Sequence, residues 1–295
     1  MTPHAARWLW VCLLLSHSLA TYAAISLVDA SGTRVTLAAP ARRIISLAPH
    51  LTELLYAAGA GGQVVGATDY SDYPAAARAL PRVGGYSNID LEAVLALRPD
   101  LVVAWKSGNS AAQLERLRAL GVVVYVSEPH RLDDIPRDIE NLGILAGTQT
   151  SAQAAAQQFQ QRRTQLAKHY AKRPPVTVFY EIWNPPLMTI NGEQIISDVL
   201  RLCGGVNIFA DLPVLAPTVD VEAVVQKNPE AIFMGEMRHH DANPDMHWQR
   251  WKGLRAVQAG NLFRIPSDLM QRPTPRILQG AAMVCADLEQ ARGRR

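Results

Sequence analysis

Part of this chain occurs twice, and that repetition constrains its fold more than any other feature. Ile89-Asp-Leu-Glu-Ala-Val-Leu-Ala-Leu-Arg-Pro-Asp-Leu-Val-Val103 aligns without a gap with Val219-Asp-Val-Glu-Ala-Val-Val-Gln-Lys-Asn-Pro-Glu-Ala-Ile-Phe233, at an offset of 130 residues. Each copy predicts a helix capped by an aspartate, Asp90 or Asp220, a proline that ends it, and a buried strand. A duplicated unit of this kind predicts two similar lobes, and a cleft between two lobes is the default place for a ligand.

Around the repeats, strands and helices alternate. Ile25 to Asp29 and Thr33 to Leu37 flank Ser31-Gly32 as a β-hairpin. Strands are expected at Arg43–Leu47, Val64–Thr68, Leu101–Trp105 and Val122–Val126, with helices at Thr52–Ala58, Asp90–Leu97, Ala111–Leu120 and Ile135–Ala146. Gly59-Ala-Gly-Gly62 follows a helix rather than a strand, so it is expected to be a helix C-cap and turn instead of a dinucleotide loop. Beyond residue 175 the alternation resumes with strands at Val176–Tyr180 and Ala231–Met234 and helices at Ile195–Cys203 and Val221–Lys227. This order predicts mostly parallel sheets with helices on both faces.

Between the two halves, Ser151 to Lys172 has no glycine or proline and places Ala152, Ala155, Ala156, Phe159, Leu166 and Tyr170 at helical spacing. Such a helix is about 33 Å long. It is either a long surface helix of one domain or a rigid strut between two lobes, and the repeat on its two sides favours the strut. The expected fold class is therefore α/β, two similar lobes with mostly parallel sheets joined by one long rigid helix and a ligand cleft between them. The boundaries are a signal peptide at 1–23, an N-terminal lobe at 24–147, the linking helix at 148–173 and a C-terminal lobe at 174–295.

The first residues carry Arg7, an apolar run from Trp8 to Leu15 and then small residues through Ala20, Ala23 and Ala24. The run is shorter than the roughly 20 residues of a membrane span, so it predicts a cleavable secretory signal, with a membrane anchor as the alternative. Cys12 lies inside that run; the two cysteines left after cleavage, Cys203 and Cys285, form either a disulfide or two buried thiols in an oxidising compartment. A formal charge of +3, spread along 295 residues, calls for no nucleic-acid partner. No G-x-S-x-G, G-x-x-x-x-G-K-[ST] or H-E-x-x-H motif is present, which weakens the commonest hydrolase and nucleotide readings.

Candidate contact residues remain. His239, His240 and His247 near Asp241 and Asp245 are either a metal site of an exported hydrolase or a polar surface loop. His50 stands between a strand end and a helix start, where open α/β sheets place ligands, and either ligates a metal centre or caps the helix. Tyr70, Tyr73, Tyr86, Trp105 and Trp183 fall at strand ends and loops, which suits a large, flat, partly apolar ligand. Glu92 and Glu222 occupy the same place in the two repeats, favoured there by the helix dipole. One acid on each lobe also suits docking onto a two-fold partner with basic sockets.

Tyr70-Ser-Asp-Tyr-Pro74, Asn88-Ile-Asp-Leu-Glu92, Pro99 to Trp105, Asn184-Pro-Pro186, Cys203-Gly-Gly-Val-Asn-Ile-Phe209 and Ser267-Asp268 with Arg272 and Pro275-Arg-Ile277 resemble one family. It is the periplasmic substrate-binding proteins of ABC importers whose lobes are joined by one long helix, and among them the cobalamin binders. The resemblance runs from about Arg43 to Gln290. It implies corrin contact by Tyr70, a cleft-wall place for Trp105, Tyr86 where the family has a tryptophan, and contact with the corrin's amides by the segment Asp268, Leu269, Met270, Gln271, Arg272. Trp183 is expected to cover the corrin with these rings, although the Ile182-Trp183 region differs from the family by a short deletion. It also implies a Cys203–Cys285 disulfide and permease docking through Glu92 and Glu222. Ala216, Leu269 and Met270 replace aromatic residues of the family pattern, and His50 replaces a smaller polar one.

The expected function is a non-enzymatic periplasmic receptor, monomeric and not inserted in the membrane. It has no cofactor of its own, and it delivers cobalamin to an ABC permease dimer with its ATPase subunits. The rival expectations are a haem or ferric-siderophore receptor, with His50 on the metal, and an exported metal-dependent hydrolase.

Overall fold

The computed structural model describes residues 24–170, 172–236 and 244–295. The expected signal peptide at 1–23 lies outside the described residues, as do His239, His240 and Asp241. No helix of the described residues is long and apolar enough to cross a membrane.

The chain opens with an antiparallel hairpin, β1 (Ile25–Val28) and β2 (Arg34–Leu37). The Asp29 carboxylate closes its turn by accepting from the Ser31 and Thr33 amides. Two four-stranded sheets follow. The first contains β3 (Ile44–Ser46), β4 (Val64–Ala67), β5 (Leu101–Trp105) and β6 (Val124–Ser127), in the order β4-β3-β5-β6. The second contains β7 (Val176–Glu181), β8 (Gly205–Asn207), β9 (Ala231–Glu236) and β10 (Leu262–Pro266), in the order β8-β7-β9-β10. Every pair in both sheets is parallel. In each sheet the second strand lies outside the first and the third and fourth lie on its other side, so the repeat seen in sequence belongs to a repeated topology.

The helices are α1 (Pro49–Ala57), α2 (Leu91–Ala96), α3 (Ala111–Ala119), α4 (Asp134–Ala146), α5 (Gln149–Tyr170), α6 (Ile195–Leu202), α7 (Val221–Lys227), α8 (Pro244–Gln249), α9 (Arg255–Gln258), α10 (Ser267–Met270) and α11 (Ile277–Gly293). Strand residues alternate between two apolar layers, as the pleat requires. Ile44, Leu101, Val103 and Tyr125 join one core with α1 and α4, while Ile45, Val102, Ala104 and Val124 face Val94 of α2 and Leu114 and Leu117 of α3. The second sheet divides likewise: Val176, Val178, Tyr180 and Phe233 face α6 and α11, and Phe179, Ile232 and Met234 face Val224 of α7 and Trp248 of α8. The inner layers of both sheets belong to one continuous core that includes Ala152 and Phe159 of α5.

Helix α5 packs along α4 because Gly143 has no side chain; a Cβ there would lie 2.3 Å from the Ala152 Cβ. Its far end packs on α6 and α11. The long helix is thus shared by both halves of the molecule, as the texture of its sequence predicts.

Some expectations need adjustment. Asp90 caps α2 by accepting from the Ala93 amide, but Asp220 makes no side-chain cap to α7. Helix α1 starts at Pro49, earlier than expected, because proline at the first helical position needs no hydrogen-bond acceptor. Both repeats end the same way: Arg98 and Asn228 turn the chain with φ of 45° and 44° before their prolines. Strands β8 and β10 and helices α8, α9, α10 and α11 have no counterpart among the expected elements. β8 is only three residues long, and α11 buries small residues on several sides, so neither has a clear period.

Cys203, at the end of α6, and Cys285, within α11, form a fully buried disulfide with a sequence separation of 82. The double variant Cys203→Ser/Cys285→Ser is expected to lose about 4 kcal/mol of unfolding free energy, measured by denaturant titration of the oxidised protein. An unchanged midpoint would show that the α6–α11 contact holds without the bridge.

Candidate functional site

The carboxyl ends of parallel strands are where loops converge in an α/β sheet. The first sheet delivers His50 just after β3, Tyr70 after β4 and Trp105 as the last residue of β5. The second delivers Trp183 after β7 and Asp268 to Arg272 after β10. Hydrogen bonds from Arg272 to Tyr70 O and the Asp72 carboxylate show that these two sets of strand ends face each other.

On the N-terminal side, position is set by buried hydroxyls and one amide. Thr52 Oγ1 donates to Ser46 Oγ at 2.8 Å and lies 3.1 Å from Ser71 Oγ, which ties the start of α1 to the chain after β4. Tyr70, beside Ser71, has φ of 62° and an exposed ring, 76% accessible. A left-handed conformation costs a non-glycine residue about 1–2 kcal/mol, and the Arg272 bond to the Tyr70 carbonyl, 3.1 Å, helps to hold it. Asn109 joins three segments: its Oδ1 accepts from the Trp105 amide at 2.7 Å, and its Nδ2 donates to Leu47 O and Tyr86 O at 2.9 and 2.7 Å. Gly108 gives the Trp105 ring room, since a Cβ there would lie 1.8 Å from it.

The result is a run of three rings. His50 meets Trp105 edge-on with centroids 5.1 Å apart, and Tyr86 lies tilted 5.8 Å from Trp105. Tyr86 and Tyr70 are exposed, Trp105 is half-buried, and His50 is buried behind it with no hydrogen-bond partner for Nε2. Burial, reinforced by the Arg272 charge, pushes the His50 pKa down to about 3, so the ring is neutral at ordinary pH.

On the C-terminal side, Gln271 Nε2 donates to Ile182 O at 3.0 Å, which fixes the segment after α10 next to Trp183. The Trp183 indole donates to Pro185 O at 2.7 Å and its ring is exposed. Leu269 is half-buried, whereas Met270 is fully buried in the core against Gly280, so the structure does not bring it to the site face.

Between the two sides lies an ion cluster whose central member no sequence pattern marked. Glu53 of α1, with a side chain only 2% accessible, accepts from Arg276 Nε and Nη2 at 2.8 and 2.6 Å. It also accepts from Arg272 Nη1 at 3.1 Å. The same Arg272 nitrogen donates to Asp72 at 2.7 Å, Arg276 Nη1 donates to Asp268 at 3.1 Å, and the Arg276 guanidinium lies 4.1 Å from the Tyr73 ring centroid. Glu53, Asp72, Asn109 and Arg276 hold this site together, and the sequence alone assigned none of them a role, although Asp72 and Arg276 lie within the stretches that resemble the family. The available signal was that Glu53 is three residues after His50 and shares its helical face.

Glu92 and Glu222 stand exposed in the first turns of α2 and α7, apart from this cluster and without an ion pair to any described residue. Among the described residues no group of three His, Cys, Asp or Glu could hold a metal ion, and His247 is half-buried on α8. A cavity of about 440 Å³ between α5 and α11, lined by Arg162, Leu166, His169, Tyr170 and Leu278, is separate from the ring cluster. The site as built offers flat apolar faces from one side and hydrogen-bonding groups from the other, an arrangement suited to gripping a large flat molecule with a polar edge.

A family profile described as periplasmic binding protein matches residues 44–269. A "Vitamin B12-binding protein" of Vibrio cholerae serotype O1 is 43% identical over 251 residues, covering 85% of this chain and 90% of that protein. The crystal structure of the periplasmic vitamin B12 binding protein BtuF of Vibrio cholerae superposes with a TM-score of 0.80 at 42% identity, covering 86% of this chain and 98% of that one. A periplasmic heme binding protein from Pseudomonas aeruginosa superposes with a TM-score of 0.72 at 25% identity, covering 83% of this chain and 92% of that one.

His50 supplies a test of this geometry. A histidine whose pKa in the folded protein lies below its unfolded value contributes stability that is complete above about pH 6.5 and is lost as pH falls toward the folded value. Between pH 7 and pH 5 this group alone removes about 2 kcal/mol. His50→Leu has no such group, so its unfolding free energy, measured by denaturant titration, is expected to gain on the wild type by that amount over this interval. Parallel pH profiles would show that His50 does not titrate from a buried site.

Proposed function

The chain belongs to the periplasmic binding protein family, and on that premise we propose that it is a periplasmic receptor that captures cobalamin between its two sheets and delivers it to an ABC importer. The observation that carries this reading is the 43% identity, over 85% of the chain, to a vitamin B12-binding protein. The haem-binding neighbour is more distant, at 25% identity.

A corrin is a large, flat macrocycle with an apolar face and a rim of amide side chains. In this reading Trp105, Tyr86, Tyr70 and Trp183 cover its faces, and Leu269 adds apolar contact beside them. Asp268, Gln271 and Arg272 meet the amides at the rim. His50 backs Trp105 and Met270 anchors α10 in the core, so both act by support. The protein works by binding and docking, without catalysing a reaction, as a monomer and without a cofactor of its own; cobalamin is its cargo. Residues 1–23 act as the cleaved export signal. The lobes comprise residues 24–147 and 174–295 around the linking helix at 148–173. That helix, packed on α4 at one end and on α6 and α11 at the other, restricts closure to small rotations. Glu92 and Glu222, one on each lobe, engage basic sockets of a permease dimer that its ATPase subunits drive.

Calorimetric titration of the oxidised protein from Ala24 onward with cyanocobalamin, with hemin in parallel, tests the ligand. Saturable one-to-one binding of cobalamin is expected, and Trp105→Ala weakens it by about tenfold or more. Saturable binding of hemin alone would overturn the assignment. For docking, the variant Glu92→Lys/Glu222→Lys is expected to abolish cobalamin uptake in cells while leaving affinity within about threefold of wild type. A matching fall in affinity would remove these two residues from the docking role.

A further inference from the structure

A carboxylate buried to the extent of Glu53 is retained only where opposite charge reaches it, because removing an ion from water is strongly unfavourable unless a partner compensates. Both guanidiniums that reach it come from the other half of the molecule, across 219 and 223 residues of chain. Arg276 grips both oxygens in the forked geometry that fixes orientation as well as distance. Arg272 shares one of those oxygens, and Arg276 holds Asp268 with its remaining arm. Two groups of the candidate ligand face, Arg272 and Asp268, are therefore positioned through Glu53 of the opposite lobe.

Apolar packing joins the lobes through one continuous core that includes α5, but that packing has a gap. Where Pro275 and Leu278 approach Leu166 and Tyr170 of α5, a cavity of about 440 Å³ remains between the linking helix and α11. Asp198 of α6 makes further polar contacts between the lobes, accepting from the Leu132 amide at 2.9 Å and from the Arg131 guanidinium at 3.5 Å. Those contacts meet at a single residue, and the Glu53 cluster, with Arg272 also on Asp72 and Tyr70 O, supplies a second tie between the lobes.

The geometry points to Glu53 as the positioning residue of the ligand site: together with Arg276 it clamps the two lobes at a fixed spacing and holds Arg272 and Asp268 toward the ligand. The ligand part of this inference rests on the cobalamin-receptor reading, while the clamp itself is measurable without ligand.

Spin labels at Leu120→Cys and Lys252→Cys, exposed positions on opposite lobes, report the interlobe distance in the ligand-free oxidised protein from Ala24 onward, whose native cysteines are paired. The parent is expected to give one narrow distance distribution. Glu53→Gln keeps the shape of the side chain without its charge, and Arg276→Lys keeps the charge without the fork. Each is expected to broaden the distribution at least about twofold in width and to weaken cyanocobalamin binding at least about tenfold. A residue that only stabilises the fold lowers the denaturation midpoint and leaves the distribution narrow, and that result overturns the inference. A broadened distribution with unchanged cobalamin affinity overturns the positioning of Arg272 and Asp268. Should Glu53→Gln fail to fold, Arg276→Lys carries both arms with the same outcomes. If the parent binds no cobalamin, the receptor reading falls, and the distance distributions still decide whether the clamp exists.

Discussion

The Glu53 carboxylate cannot sit in the interior of this molecule without Arg272 and Arg276. Those two side chains belong to the segment between α10 and α11, and they reach Glu53 only if the carboxyl ends of both sheets point toward each other. The charge on α1 therefore requires a particular arrangement of lobes, and that arrangement creates the candidate site. Removing both arginines would leave a buried charge uncompensated, which is more destabilising than never having placed the cluster there.

The two lobes repeat a topology but not a chemistry. The first contributes rings, with His50, Trp105 and Tyr86 in contact and Tyr70 held outward by a left-handed backbone. The second contributes mainly hydrogen-bonding groups after β10, steadied by Gln271 on Ile182 O. The equivalent strand ends have thus diverged while the scaffold that presents them stayed the same. This division suits a ligand with a broad apolar face and a polar periphery, since each part meets a surface of its own kind.

The scaffold was largely legible in the sequence. Asp90 and Asp220, the prolines after each helix and the apolar strands declared two α/β units, and the glycine-free stretch before Arg173 declared the helix joining them. Short or poorly periodic elements were not legible. β8 has three residues, and α11 hides its helical period because Gly280, Ala281 and Ala291 are buried along with its large side chains. At the site, the aromatic residues at loops stood out by type. Glu53 did not, because one glutamate among the leucines of an amphipathic helix looks the same whether it faces water or a pair of arginines.

The sequence by itself determined the repeat, the alternation of strand and helix, the linking rod and the pair of cysteines, because each depends on local periodicity, on capping chemistry or on a count. Only the tertiary structure decided which strand ends face one another, which way Met270 turns, and that Glu53 meets Arg272 and Arg276. Those outcomes depend on contacts between residues some two hundred positions apart, and the free energy of such contacts is set by burial and by the distance between charges, neither of which exists until the chain has folded.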